Sequence, residues 1–345
     1  MPASAVLLNG REGRIHKAIL DPQFSDPTVL TSDFWTYVEL WLRRKNARKA
    51  IFYWQQARQF YTASQGLNEI SAPLTYYYCF LNAVKALLEY RRIPVSPFHG
   101  TAGSSTTKKA TLAGERIVFQ ARGIAPALQL LLGDSDPRVE YSLKQVLYNL
   151  VFVHRAFVLT FPKESEMFVP LNSAIYVRKD GSSETWLQIT ADSKFSVTKI
   201  EANLPSGFER DVGAVGSVFR AKQRFKWKDE VGEQPGNLTR ISTYNTGMRK
   251  SLVYIRGQPP SWYLKLSAVS RNAIARSNLS LMLAAMHRLS ELSRYDPLRL
   301  QLLLETQQNW LISEFIGSAP IQFLDEISTE ITGQNLATPF VRISR

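Results

Sequence analysis

The hydrophobic period of this chain changes twice, and that change constrains the fold more than anything else. Up to about residue 165, apolar residues recur at three- and four-residue steps. From Met167 to about Ile255 they alternate, and from Ser261 the helical period returns. A period of 3.6 belongs to a helix with one buried face, and a period of 2 to a half-buried strand. The sequence therefore predicts an α+β protein whose mainly helical body is formed by the N- and C-terminal parts, with an inserted antiparallel β-rich subdomain. The expected divisions are 1–164, a helical region with a His-Gly loop; 165–260, β-rich and basic; and 261–345, helices packing back on the first region.

The most informative helical stretch is 71–100, SAPLTYYYCFLNAVKALLEYRRIPVSPFHG. Ser71 is placed to cap its start, with Pro73 in the first turn, where a missing N–H costs nothing. Leu74, Tyr77, Tyr78, Leu81, Val84 and Leu88 make an apolar stripe, and Pro94 and Pro97 stop the helix near Arg92. Tyr78, Asn82, Lys85 and Glu89 form a second line on the same helix. They read either as its wetted edge or as an inward polar cluster beside His99 and Gly100, with Arg294 contributed from far along the chain.

Elsewhere, 1–32 reads as an irregular arm. The stretch 33–64 reads as a long helical region, either continuous or two helices broken near Lys45-Asn46, with a basic cluster of Arg43, Arg44, Lys45, Arg48 and Lys49 at its middle. That cluster is either a solvated face or a phosphate-contacting patch, with Trp41, Tyr53 and Trp54 near enough to stack on bases. A Gly/Ser/Thr/Lys loop follows at 93–111, without the P-loop pattern. Then come a short strand at 115–121 and a helix from Asp134-Ser135-Pro137 to about Phe161, carrying His154 on its apolar side. In the alternating region, 217–227 and 238–244 read as strands, with 250–255 after them. The first contains RAKQRFKWK, whose alternation sets Arg220, Lys222, Arg224, Lys226 and Lys228 on one face. Five like charges repel unless an anion is near. Near the C-terminus, helices are expected at 278–293, at 298–316 with a stop at Gly317, and at 321–331.

The chain has 345 residues and a net charge of +13, spread without a basic tail. Such a charge favours polyanion partners. No apolar run reaches the length of a membrane span, and the start lacks the basic n-region of a signal peptide. One cysteine, Cys79, excludes an internal disulfide and reads as core packing. Four histidines without HExxH or CxxC give no metal-ligand set, and neither GxSxG nor GxGxxG occurs, so no cofactor is expected.

The segments YWQQARQFYTAS (53–64) and APLTYYYCFLNAVKALL (72–88), the His99-Gly100 pair, the Gly123 turn and SRYDP (293–297) together resemble the YaaC-like family of bacterial proteins. The resemblance spans most of the chain and is weakest in the strand-rich middle. The chain departs from it at Met286-His287-Arg288, which replaces more apolar residues. It implies a bacterial cytoplasmic protein but no reaction, and some relatives suggest mobile-element or phage-defence loci.

Three functions follow. The first is a non-catalytic component that interacts with nucleic acid or forms a complex, with a protein partner or a second copy, through Arg43, Arg44, Arg48, Lys49 and the 220–228 cations. The second is a ribonuclease resembling the helical HEPN group, which uses an Arg and a His a few residues apart. Six residues separate Arg92 from His99, so His99 would move the proton and Arg92 would stabilise the phosphorane charge. The third is a scaffold in which Asn82, Lys85, Glu89, His99 and Arg294 satisfy one another.

Overall fold

The computed structural model describes residues 3–230, 232–257, 259–267 and 272–339. Gln258, one of the residues read as turn punctuation, lies outside them. The fold is mixed α+β, with 43% helix and 19% strand. The chain divides into two compact units, Thr31–Ser165 with Ile274–Thr332, and Met1–Leu30 with Glu166–Ala273 and Gly333–Arg345. Among the described residues no helix is long and apolar enough to cross a membrane.

The helical unit is built around α3 (Ala72–Tyr90), which follows α1 (Phe34–Arg44) and α2 (Arg48–Ser64). The break between α1 and α2 falls at Lys45–Asn46, as the sequence suggests; Asn46 takes the left-handed conformation, φ 55°. Residues from Cys79 to Val84 are all buried, so α3 is covered nearly all round. It packs on α2 and on the helices Asn278–Tyr295 and Asn309–Thr332. Phe80 stacks flat on Phe323, with centroids 3.9 Å apart. Burial of Cys79 pushes its thiol well above the usual range, as expected of a packing residue. Ser71 does not cap α3 through its side chain. Asn68 orders the turn before it instead, its side-chain oxygen accepting from the N–H groups of Ile70 and Ser71 at 3.2 and 2.9 Å.

Several expected elements differ. The helix expected from Asp134 to Phe161 is divided into the strand Glu140–Ser142 and the helices Leu143–Tyr148 and His154–Thr160. A Ser142–Gln145 capping box starts the first of these helices eight residues later than expected. Residues Thr101–Ser105, in what reads as a loop, pair with Glu115–Phe119 and through it with Glu140–Ser142 in a three-stranded sheet. The helix expected to stop at Gly317 continues as Asn309–Thr332 with Pro320 inside. An interior proline costs about 3 kcal/mol, and the burial of Phe315, Ile316, Phe323 and Ile327 along this helix offsets it.

The β-rich unit holds an antiparallel sheet in the order Phe208–Arg210, Val218–Ala221, Glu184–Ala191, Phe168–Lys179, Ser261–Lys265, Leu252–Ile255. The first residues are not an irregular arm: Ala3–Ala5 pairs with Phe168–Lys179, and Leu7–Leu8 with Arg11–Glu12. Ser261–Lys265, expected to be helical, is a strand. Residues 238–244, expected to be a strand, belong to the helix Gln234–Met248. Pro235 opens that helix, and buried Asn237, Ile241, Tyr244, Asn245 and Met248 mark its inward face at three- and four-residue steps. The strand expected at 217–227 is two short pieces, Val218–Ala221 and Phe225–Lys226.

Candidate functional site

A cleft of about 290 Å³ opens on the helical unit between α2, α3 and the loop that carries His99. From α2 come Phe52, Gln56 and Phe60, four residues apart and so on one face. From α3 come Tyr78, Leu81, Asn82 and Lys85, and the loop adds Pro97, Phe98 and His99. Phe60 and Tyr78 stack at 5.3 Å with 25° between planes, making one aromatic wall. Phe52 and Phe98 are more than half exposed, at 58% and 63%. Asn82 Nδ2 donates to the Tyr78 carbonyl at 2.8 Å, which fixes the amide. Lys85 Nζ lies 5.5 Å from the centroid of the Tyr53 ring, and partial burial lowers its pKa.

Two glycines fix the His99 loop. Gly100 has φ +81° and Gly123 φ +131°, and a Cβ on either would collide, with Pro126 in the first case and with the Gly100 backbone in the second. This close approach lets the Phe98 and His99 carbonyls accept from Ile124 and Ala125 N–H at 3.0 Å, capping the helix Ile124–Leu132. His99 is thereby held with its ring 5.4 Å from that of Tyr77, whose hydroxyl is hydrogen-bonded to His99 Nδ1. Burial lowers the His99 pKa, and the charges of Lys85 and Arg294 push the same way against Glu291, so the imidazole is neutral at neutral pH.

Behind Tyr77 lies a charged network absent from the sequence reading. His287 packs edge-on to Tyr77 at 4.7 Å, and burial, then His99 and Arg288, push its pKa down to about 3. Glu291 accepts from Gly103 N–H at 3.1 Å and from Arg288 at 3.0 Å. Arg288 and Arg299 both bind the fully buried Glu115 carboxylate, each at 2.6 Å. A side chain at Gly103 would run into Glu291 and Arg288. Arg288 and Glu291 stand three apart on a helix, a spacing visible in sequence. Their partner Glu115 sits on a strand far away in the chain, and nothing local announces it.

The expected site residues divide as follows. Tyr78, Asn82, Lys85 and His99 line the cleft together. Glu89 lies one turn beyond Lys85 and does not line it, and Arg294 is exposed, stacked on Tyr295 at 4.9 Å. Arg92 is exposed just past α3 in the left-handed conformation, φ 59°, and no hydrogen bond or ion pair joins it to His99. In the basic cluster, Arg43 pairs with Glu39 at 2.5 Å. Arg44, Arg48 and Lys49 are exposed and have no ion-pair partner among the described residues, while Lys45 lies 5.0 Å over Trp41. Trp54 is buried, with its indole N–H given to the Trp35 carbonyl at 2.9 Å, so it cannot stack on a base. In the 220–228 run, the protein supplies the anions. Arg220 pairs with Glu209 and Asp211, Arg224 with Glu184 and Glu209, and Lys228 with Glu233, leaving Lys222 and Lys226 exposed. Among the described residues, no three His, Cys, Asp or Glu side chains are grouped to hold a metal ion.

A family model described as YaaC-like protein matches residues 23–331. The chain belongs to the YaaC-like family. Neither a curated protein nor a solved structure matches it. Of the segments on which the resemblance rests, 53–64 lies in α2 and 72–88 in α3, and both contribute side chains to the cleft with His99, whereas none of 293–297 lines it.

Proposed function

We propose that this YaaC-like protein is a non-catalytic component of the bacterial cytoplasm that binds single-stranded nucleic acid at the cleft. An unstacked base enters between Phe52, Phe98 and the Phe60–Tyr78 pair. The phosphates run toward Arg44, Arg48 and Lys49. The observation that carries the reading is the α2 face on which Lys49, Phe52, Gln56 and Phe60 follow at three- and four-residue steps. Unpaired cations and a sequence-tolerant aromatic wall on one face suit a flexible polyanion with bases free to stack. The cations of the β-rich strand contribute less to this reading, because most already have carboxylate partners.

The test is fluorescence anisotropy with labelled single-stranded RNA, single-stranded DNA and duplex DNA across a salt series. Three or four phosphate contacts give a log–log salt slope of about −2 to −3 on a single strand. The triple variant Arg44→Ala/Arg48→Ala/Lys49→Ala should flatten that slope by about 2. Phe52→Ala and Phe98→Ala should each weaken binding by about five-fold or more. Absence of binding, or affinity unaltered in all these variants, overturns the reading and leaves the scaffold role or a protein partner.

One observation favours the ribonuclease alternative: His99 lines the cleft and is held neutral, as a general base requires. Product run on a denaturing gel separates the two. Cleavage lost in both His99→Ala and Arg92→Ala, with binding retained, would replace the non-catalytic reading.

A further inference from the structure

The β-rich unit carries a second, larger cavity, of about 1090 Å³, independent of the cleft above. That is at the upper end of the size of small-molecule sites. Phe24, Trp262 and Tyr263 give it aromatic surface, and Arg11 and Arg14 stand on its wall. The long strand Phe168–Lys179 has a β-bulge between Leu171 and Ser173, and this irregular segment faces the cavity. Bulges of this kind re-aim side chains beside binding sites.

Two features under the wall are unbalanced. Arg249 is 6% exposed, and its guanidinium lies 5.3 and 5.0 Å from the centroids of the adjoining Tyr254 and Trp262 rings. It donates to the Lys17 and Leu252 carbonyls, and among the described residues no carboxylate pairs with it. A buried cation without a counter-charge is costly. His16, on the wall itself, is 3% exposed. Its Nδ1 accepts from Ala18 N–H at 3.0 Å, so its proton sits on Nε2, and Nε2 has no partner. Burial, with the charges of Arg249 and Lys17, pushes the His16 pKa down to about 3, which keeps the ring a neutral donor. An orphaned buried donor beside an uncompensated cation, under an aromatic-walled cavity, asks for an acceptor that is also an anion.

We propose that this cavity binds a small organic anion, a carboxylate or phosphate ester on a flat apolar body, whose acid oxygen accepts from His16 Nε2 and balances Arg249. The apolar body lies against Phe24 and Trp262.

The test uses the full chain labelled with ¹⁵N at its four histidines. Benzoate and phenyl phosphate are the probes, with benzyl alcohol as the uncharged control. The His16 Nε2–H resonance is expected to shift saturably with at least one of the anions and not with the alcohol. A shift with benzoate alone assigns a carboxylate, and one with phenyl phosphate alone a phosphate ester. No shift with either anion at about 10 mM, enough to fill a millimolar site, overturns the proposal, as does an equal response to benzyl alcohol. His16→Phe keeps a ring of similar size and removes the donor. The anion concentration needed to raise the melting temperature should increase at least tenfold in that variant, and no increase would count against the site. Single-stranded oligonucleotide should move His99 and leave His16 unmoved, so the two sites fail or stand separately.

Discussion

Glu115→Gln should unfold the helical unit at a clearly lower temperature, and the structure sets the size of the effect. The Glu115 carboxylate is fully buried, while the Arg288 and Arg299 side chains are 7% and 11% exposed. Each guanidinium binds one Glu115 oxygen at 2.6 Å, and Ser105 also donates to Glu115, at 2.9 Å. Removing the charge leaves two buried arginines facing a neutral amide. Breaking a buried ion pair costs about 3–5 kcal/mol. The low end applies here, because Arg288 keeps Glu291 at 3.0 Å and Arg299 keeps the Thr107 carbonyl at 2.8 Å. A loss of about 3 kcal/mol in a unit of roughly 200 residues lowers the melting temperature by about 6–12 °C. Scanning calorimetry measures it, with Arg288→Met and the double variant closing a cycle. Coupling of about 2 kcal/mol between Glu115 and Arg288 is expected. A Glu115→Gln melt within about 1 °C of wild type, or additive single variants, would refute the view that this carboxylate holds the network together.

Stability should also fall on mild acidification. His16 and His287 both have pKa values pushed down to about 3, below the ordinary 6.5. The unfolded chain therefore binds protons that the folded chain refuses, so their contribution is complete above about pH 6.5 and is lost as pH falls toward 3. Each histidine accounts for about 2 kcal/mol between pH 6.5 and 5. Urea unfolding at the two pH values measures the loss; a flat profile, or an unaltered one in His287→Gln, contradicts it. Gly100→Ala should destabilise by about 2 kcal/mol or more, combining a left-handed φ with a collision at Pro126. Gly66→Ala, also at positive φ but with open space around its Cβ, should cost only about 1–2 kcal/mol by the same chemical denaturation. Equal losses in the two glycine variants would deny that close packing fixes the His99 loop.

The parts of the fold legible in the sequence are those where burial and period agree. α3 shows its aromatic and apolar residues at helical steps, and the α1–α2 break falls at Asn46, a residue type that tolerates positive φ. The errors fall where a local rule is outweighed by packing. Residues 238–244 lie in the region read as strands, yet Leu238, Ile241 and Tyr244 recur at three-residue steps, and Pro235 with the inward run Asn237, Ile241, Tyr244, Asn245, Met248 makes a helix. Gly317 and Pro320 signal a stop, yet the helix Asn309–Thr332 passes through both because its remaining face is buried. The site was half legible for the same reason. Tyr78, Asn82 and Lys85 share a helix face, and that face lines the cleft. Their opposite wall, Phe52, Gln56 and Phe60, has a matching period, but only tertiary contact shows that the two faces meet.

Charge was the least legible property, and the two basic stretches show why. In the 220–228 run, adjacent strands and the helix Gln234–Met248 bring Glu209, Glu184 and Glu233 to the cations, so the anion those charges require comes from the fold itself. At the α1–α2 turn, Glu39 reaches only Arg43, and Arg44, Arg48 and Lys49 are left facing water. A sequence counts both stretches alike, because most acidic partners of the first lie up to forty residues away and meet it through strand pairing, and Glu233 reaches Lys228 from the start of a helix. Local excess charge therefore marks an external partner only where the fold has withheld an internal one. By that criterion the proposed polyanion contact rests on the α1–α2 turn, continuous along α2 with the aromatic cleft, and Arg44, Arg48 and Lys49 are the substitutions that decide it.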